Sequence, residues 1–90
     1  MQNKNLKISV LGSGAWGTAL AQLISKKSEV LLWVREKKVK IEINQNHQNT
    51  KYLPSIKLNK NIVSTNNLED LKTSDIIFLT VPVQYMSSIL

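Results

Sequence analysis

Hydrophobic positions along this chain change their spacing several times, and each change marks an element. Lys7-Ile8-Ser9-Val10-Leu11 is a short β-branched run that stops at Gly12, which predicts a buried strand. From Ala15 the spacing turns helical. Ala15, Ala19, Leu20, Leu23 and Ile24 fall on one stripe, with Lys26 and Lys27 predicted in the last turn, where cations suit the helix dipole. Glu29 to Val34 is a compact apolar run, too short for a helix and rich in Val and Leu, as interior parallel strands are. Strand, glycine turn, helix and strand in this order make a βαβ unit, whose crossover is expected to be right-handed.

The stretch from Glu36 to Asn46 carries two periods at once. Val39, Ile41 and Ile43 alternate with charges, as in a strand, yet Val39 and Ile43 also form an i, i+4 pair. The segment follows an interior strand and has to cross back, so a helix is expected. His47 to Asn61 is polar and holds Pro54, which predicts a loop, and Ile62-Val63-Ser64 reads as a third strand. Asn66 followed by Glu69 has the form of a capping box opening a short helix to about Lys72. Asp75 to Val81 is a fourth strand, ended by Pro82, and Val83 to Leu90 begins another helix. The expected fold is α/β, a doubly wound parallel sheet of order βαβαβαβ that stops part-way through its pattern.

Composition narrows the function. Ninety residues suit one small domain. With no cysteine, a disulfide scaffold, a zinc finger and a thiol nucleophile are all excluded. The longest apolar runs fall far short of the roughly 20 residues of a membrane helix, and no secretory leader is visible, so a cytoplasmic protein is expected. The formal charge is +6, but Arg35 is the only arginine and the lysines are spread from Lys4 to Lys72. Base readout uses arginine forks and single-strand binding uses interleaved aromatics, and neither pattern is present. A solvated surface is expected, and no nucleic-acid partner.

The chemistry concentrates at Gly12-Ser13-Gly14-Ala15-Trp16-Gly17, a G-x-G-x-x-G that follows a strand and opens a helix. In that context it is the dinucleotide-binding fingerprint of a Rossmann-type sheet. Gly12 allows the tight turn, Gly14 leaves room for a pyrophosphate against the backbone, and Gly17 lets helix and strand approach. The helix N-terminus adds free N–H groups and a partial positive charge for the phosphates. The same turn can also serve packing alone. The second strand runs out at Val34-Arg35-Glu36, where the adenosine ribose is read. Arg35 can pair with a 2′-phosphate or stack on adenine, which favours NADP, while Glu36 is close enough to keep NAD open.

Other candidates are weaker. Trp16 either packs over the dinucleotide crevice or plugs the core between helix and loop. His47, the only histidine, has no visible carboxylate partner and reads as structural. Asp75 reads as a cap or turn residue. No metal-ligand cluster and no nucleophile–base arrangement is evident, so no catalytic residue and no metal ligand is assigned.

The residues from Gly12 to Ala21, with Leu32-Trp33-Val34-Arg35, closely resemble the N-terminus of the bacterial NAD(P)-dependent glycerol-3-phosphate dehydrogenase family. Ile43-Asn44, His47, Asn49 and Tyr52-Leu53-Pro54 match that family's I-N-x-x-H-x-N-x-x-Y-L-P stretch, and Val81-Pro82-Val83-Gln84 its V-P-x-Q turn. Ser28 departs from the family, where a glycine often precedes the second strand. The resemblance implies NAD(P)H-dependent reduction of dihydroxyacetone phosphate to sn-glycerol 3-phosphate, in service of phospholipid synthesis. It implies that Gly12, Gly14, Ala15, Trp16 and Gly17 line the cofactor phosphates, with Arg35 at the adenosine end and Tyr52 near the adenine. On this reading residues 1–90 are the N-terminal NAD(P)-binding domain, incomplete, with catalytic lysine and substrate domain beyond residue 90. Lys72 is not that lysine. The isolated chain is expected to be inactive, and a homodimer is expected. The alternative is a non-catalytic dinucleotide-binding module.

Overall fold

The computed structural model describes residues 6–12 and 14–80. Four strands, β1 (Ile8–Leu11), β2 (Val30–Trp33), β3 (Ile62–Thr65) and β4 (Ile76–Leu79), form one sheet of order β3-β2-β1-β4. Every pairing is parallel, with Val10 opposite Leu32 on one side and Phe78 on the other. Helix α1 (Ala15–Ile24) joins β1 to β2, and α2 (Lys37–Asn46) joins β2 to β3. A 3-10 turn, Leu68–Leu71, lies between β3 and β4. The doubly wound α/β order predicted from the sequence is therefore present through β4. The predicted helix from Val83 to Leu90 lies outside the described residues.

Alternation along the strands gives the sheet two faces. On one, Val10, Val30, Leu32 and Ile62 meet Ala21 of α1 and Val39 and Ile43 of α2. Leu32 and Ile43 are fully buried there, each stabilising the fold by about 1.5–3 kcal/mol through removal of apolar surface from water. On the other face Leu11 and Trp33 are covered by Leu71. Side chains then close what the ladder leaves open. Asn44 bonds both the N–H and the C=O of Ser64, standing in for a further strand beside β3 (2.7 and 2.9 Å). Trp33 Nε1 donates to the Asn66 carbonyl (2.9 Å) while Asn66 Nδ2 donates to the Val34 carbonyl (2.8 Å), fixing the end of β2 against the chain leaving β3.

Three local expectations are corrected. The buried face of α1 is Gly17, Thr18 and Ala21, whereas Ala15 and Ala19 are exposed and Leu23 is 63% exposed. A helix lying close on a sheet presents small residues to it, so large apolar side chains are pushed to the flanks. Helix α1 also ends at Ile24, with Ser25 as C-cap donating from its backbone N–H to Ala21, so Lys26 and Lys27 lie past its last turn. The cap after β3 is Asn67, whose side chain accepts from the Glu69 N–H (3.0 Å). The predicted cap, Asn66, is occupied with Val34.

Candidate functional site

Connections run outward from β1 through β2 to β3 and then return to β4 on the opposite side of β1. The order reverses between β1 and β4, and in open parallel sheets ligands sit beyond the carboxyl ends of the strands at such a point. The glycine turn lies there. Gly12 has φ 131°, a conformation that side chains rarely adopt, and its N–H donates to the Trp33 carbonyl (3.0 Å). The chain thus turns sharply while still tied to β2.

Gly14 and Gly17 have opposite surroundings. A Cβ on Gly17 would stand 2.1 Å from the Gly12 carbonyl oxygen and 2.7 Å from Thr80 Oγ1. That glycine lets α1 touch the end of β1. A Cβ on Gly14 would have no heavy atom of the described residues within 4 Å beyond its own chain neighbours. The backbone at Gly14 faces open space, at the N-cap of α1, with extended geometry (φ −66°, ψ −178°) and no side chain capping the helix. The first-turn N–H groups have no intrahelical acceptor, so they and the helix dipole are directed at whatever occupies that space. No acidic residue stands in the first turn to compete with an anion.

Ala15 and Trp16 continue this turn and are exposed, the indole by 84%. A core-plug role for Trp16 does not fit that exposure. Thr80, for which local pattern offers no signal, closes the β4 side: its N–H and its Oγ1 both donate to the Leu11 carbonyl (3.0 Å each).

At the end of β2, Val34 is buried and Arg35 exposed. Glu36 begins α2 as its N-cap but does not cap it with its side chain. One carboxylate oxygen instead accepts from Lys51 Nζ, and the other from the Tyr52 hydroxyl at 2.5 Å. The Lys51 bond, then the Tyr52 bond, hold the Glu36 carboxyl below its ordinary 4.5. Glu36 in turn raises both the Lys51 ammonium and the Tyr52 phenol above their usual values. Lys51 Nζ also stands 5.3 Å from the Tyr52 ring centre.

The loop bearing Lys51 and Tyr52 is anchored from inside. Asn49, fully buried, donates through Nδ2 to Thr18 Oγ1 of α1 (2.8 Å) and accepts at Oδ1 from the Tyr52 N–H (3.2 Å). The structure therefore ties Tyr52 both to α1, just behind the glycine turn, and to the end of β2. Neither Lys51 nor the buried Asn49–Thr18 bond was visible as a local pattern, since the partners lie 15 and 31 residues apart in sequence. His47 ends α2 in the left-handed conformation (φ 57°), and its buried Nδ1 has no hydrogen-bond partner. Asp75 accepts from the Lys7 N–H (2.8 Å), tying the starts of β4 and β1 together, and Lys72 pairs with Glu69.

A cavity of about 240 Å³ lined by Lys7, Ser9, Glu29 and Ser74 among others lies at the opposite, N-terminal end of the strands, away from the switch point. Among the described residues there is no cluster of three or more His, Cys, Asp or Glu side chains able to hold a metal ion. No helix among them is long and apolar enough to cross a membrane.

Comparison with known proteins agrees with this geometry. The family model described as NAD-dependent glycerol-3-phosphate dehydrogenase N-terminus matches residues 7–90. A glycerol-3-phosphate dehydrogenase [NAD(P)+] of Erythrobacter litoralis is 45% identical over 85 residues, covering 93% of this chain and 26% of the relative. Among solved structures, the glycerol-3-phosphate dehydrogenase of Plasmodium falciparum superposes with a TM-score of 0.88 at 35% identity, over 94% of this chain and 27% of that one. The enzyme from Saccharomyces cerevisiae gives 0.88 at 36% identity, over 96% and 29%. The chain thus spans about a quarter of the length of the proteins it matches.

Proposed function

The chain belongs to the family of NAD-dependent glycerol-3-phosphate dehydrogenase N-termini, and from that membership we propose that it is the cofactor-binding part of an enzyme reducing dihydroxyacetone phosphate to sn-glycerol 3-phosphate. The observation that carries the proposal is the open space at Gly14, in front of an uncapped helix N-terminus at the switch point of the sheet. A pyrophosphate fits a cradle that a single Cβ would fill. When bound, the nicotinamide coenzyme supplies the hydride that turns the ketone into a secondary alcohol. Gly12 makes the turn; Gly14, Ala15 and Gly17 bring backbone N–H groups to the phosphates, and Trp16 lies over the crevice mouth. Arg35 takes the adenosine end, pairing with a 2′-phosphate, and Tyr52 borders the adenine.

Residues 1–90 form this NAD(P)-binding unit in our reading, and the substrate domain and catalytic lysine belong to the remaining length of the relatives. Hydride transfer needs the ketone held about 3–3.5 Å from the nicotinamide and a group to stabilise charge on its oxygen. The 90-residue chain should therefore bind coenzyme without turning it over. Ile76 to Leu79 of β4 are all 38–49% exposed, which favours self-association, and a homodimer is proposed on that ground. A cytoplasmic location suits substrates that are water-soluble phosphate esters. Calorimetric titration of the chain with NADPH and NADH tests the reading: saturable binding of at least one, with no consumption of dihydroxyacetone phosphate, is expected. Failure to bind either would overturn it.

A further inference from the structure

Two side chains of opposite charge, Arg35 and Glu36, follow β2 in succession, where on the dinucleotide reading the adenosine ribose would be met. A carboxylate free to turn toward that ribose would accept from a 2′-hydroxyl and repel a 2′-phosphate. Each oxygen of Glu36 already accepts a bond, one from the Lys51 ammonium and one from the Tyr52 hydroxyl, and the pair fixes the direction of the carboxylate. Their donors are in turn held by the interior: Asn49, fully buried between Thr18 and the Tyr52 N–H, fixes the loop that presents them. Glu36 gives up the capping of its own helix to make these bonds.

We infer that Lys51 and Tyr52 are positioning residues that hold Glu36 off the cofactor's ribose, leave the end of β2 to Arg35, and so bias the site toward the 2′-phosphorylated coenzyme. The inference rests on the dinucleotide reading above and adds to it the residues that decide between two coenzymes. Arg35 alone does not settle the choice, because a free carboxylate one residue away would offset its charge. Lys51 offsets the Glu36 charge, so that of Arg35 is left uncompensated beside the site.

The test compares calorimetric affinities for NADPH and NADH in four proteins: wild type, Lys51→Met/Tyr52→Phe, the same pair with Glu36→Gln, and Glu36→Gln alone. The Phe ring keeps the aromatic surface and removes only the hydroxyl. The pair variant is expected to lower the NADPH-to-NADH affinity ratio about ten-fold or more, a 1.4 kcal/mol change in preference. Adding Glu36→Gln to that pair should recover most of the lost preference, which a merely structural role of the loop would not do. Lys51→Met alone, at a largely exposed side chain, should shift the ratio in the same direction and serves if the pair variant does not fold. A ratio unmoved by the pair or by Lys51→Met, or one not recovered by Glu36→Gln, overturns the inference while leaving the dinucleotide reading standing. Wild-type protein that binds neither coenzyme overturns both.

Discussion

The two halves of the candidate cofactor site lie on the same edge of the sheet and are built by different means. At the glycine turn the determining feature is absent atoms: Gly17 has no room for a Cβ and Gly14 has nothing in front of it. At the end of β2 the determining feature is side chains holding one another, Glu36 between Lys51 and Tyr52. A site made from backbone is rigid and indifferent to pH, because N–H groups do not titrate. One made from an exposed ion pair and a phenol is adjustable and responds to charge. On our proposal the first half would accept any dinucleotide, and the second would distinguish among them.

Breaking the comparison at its stiffest point should have the largest effect. Gly17→Ala places a Cβ 2.1 Å from the Gly12 carbonyl, a backbone clash that no side-chain rotation relieves. The expected loss exceeds about 4 kcal/mol, most of a small domain's stability, so the variant should show no cooperative thermal transition by circular dichroism. A transition near the wild-type temperature would contradict the close approach of α1 to β1.

Arg35→Ala should act on binding and leave the fold alone, because Arg35 is exposed. Loss of a charged hydrogen bond predicts NADPH binding weaker by about 1.5–3 kcal/mol, with NADH affected much less. Equal losses for both would reduce Arg35 to stacking or steering.

The smallest effect is on pH dependence. Glu36 lies below its ordinary 4.5 in the folded chain, so its contribution is present above that value and is lost as pH falls through the folded value. Lys51 lies above its ordinary 10.5, so its share persists below 10.5 and is lost as pH rises through the folded value. Urea midpoints of wild type and Glu36→Gln should differ by a constant gap around neutrality that closes on acidification. A gap unchanged into acid would mean that the clamp contributes nothing to the folded state. The effect is small because the groups face solvent.

The same contrast explains what was legible in the sequence. Gly12, Gly14 and Gly17 announce themselves because a tight turn and a close approach each require glycine at a fixed local spacing. Strands β1 and β2 follow from short-range pattern, and the helix predicted at Glu36–Asn46 follows from its place after an interior strand, since its own pattern is ambiguous. On α1 the apolar spacing finds Leu20 and Ile24, which pack against the core, but it also favours the exposed Leu23, whereas the sheet selects Gly17, Thr18 and Ala21 for their small size. The cap at Asn67 was displaced by one because Asn66 is drawn to Val34, a partner 32 residues away. For Glu36, local sequence offers only a carboxylate near the right strand end. Its bonds to Lys51 and Tyr52 depend on the fold, which anchors their loop through the Asn49–Thr18 bond.

The central claim is that the space before Gly14 is where a dinucleotide's pyrophosphate sits, and Gly14→Val addresses it, since a Cβ there meets no heavy atom of the described residues beyond its chain neighbours within 4 Å. Calorimetric titration with NADPH, run beside a thermal melt, is the most direct measurement. The account predicts a cooperative melt, with stability changed by about 1 kcal/mol or less at this N-cap, and affinity at least about ten-fold weaker. A variant that folds and binds NADPH as tightly as wild type would contradict it.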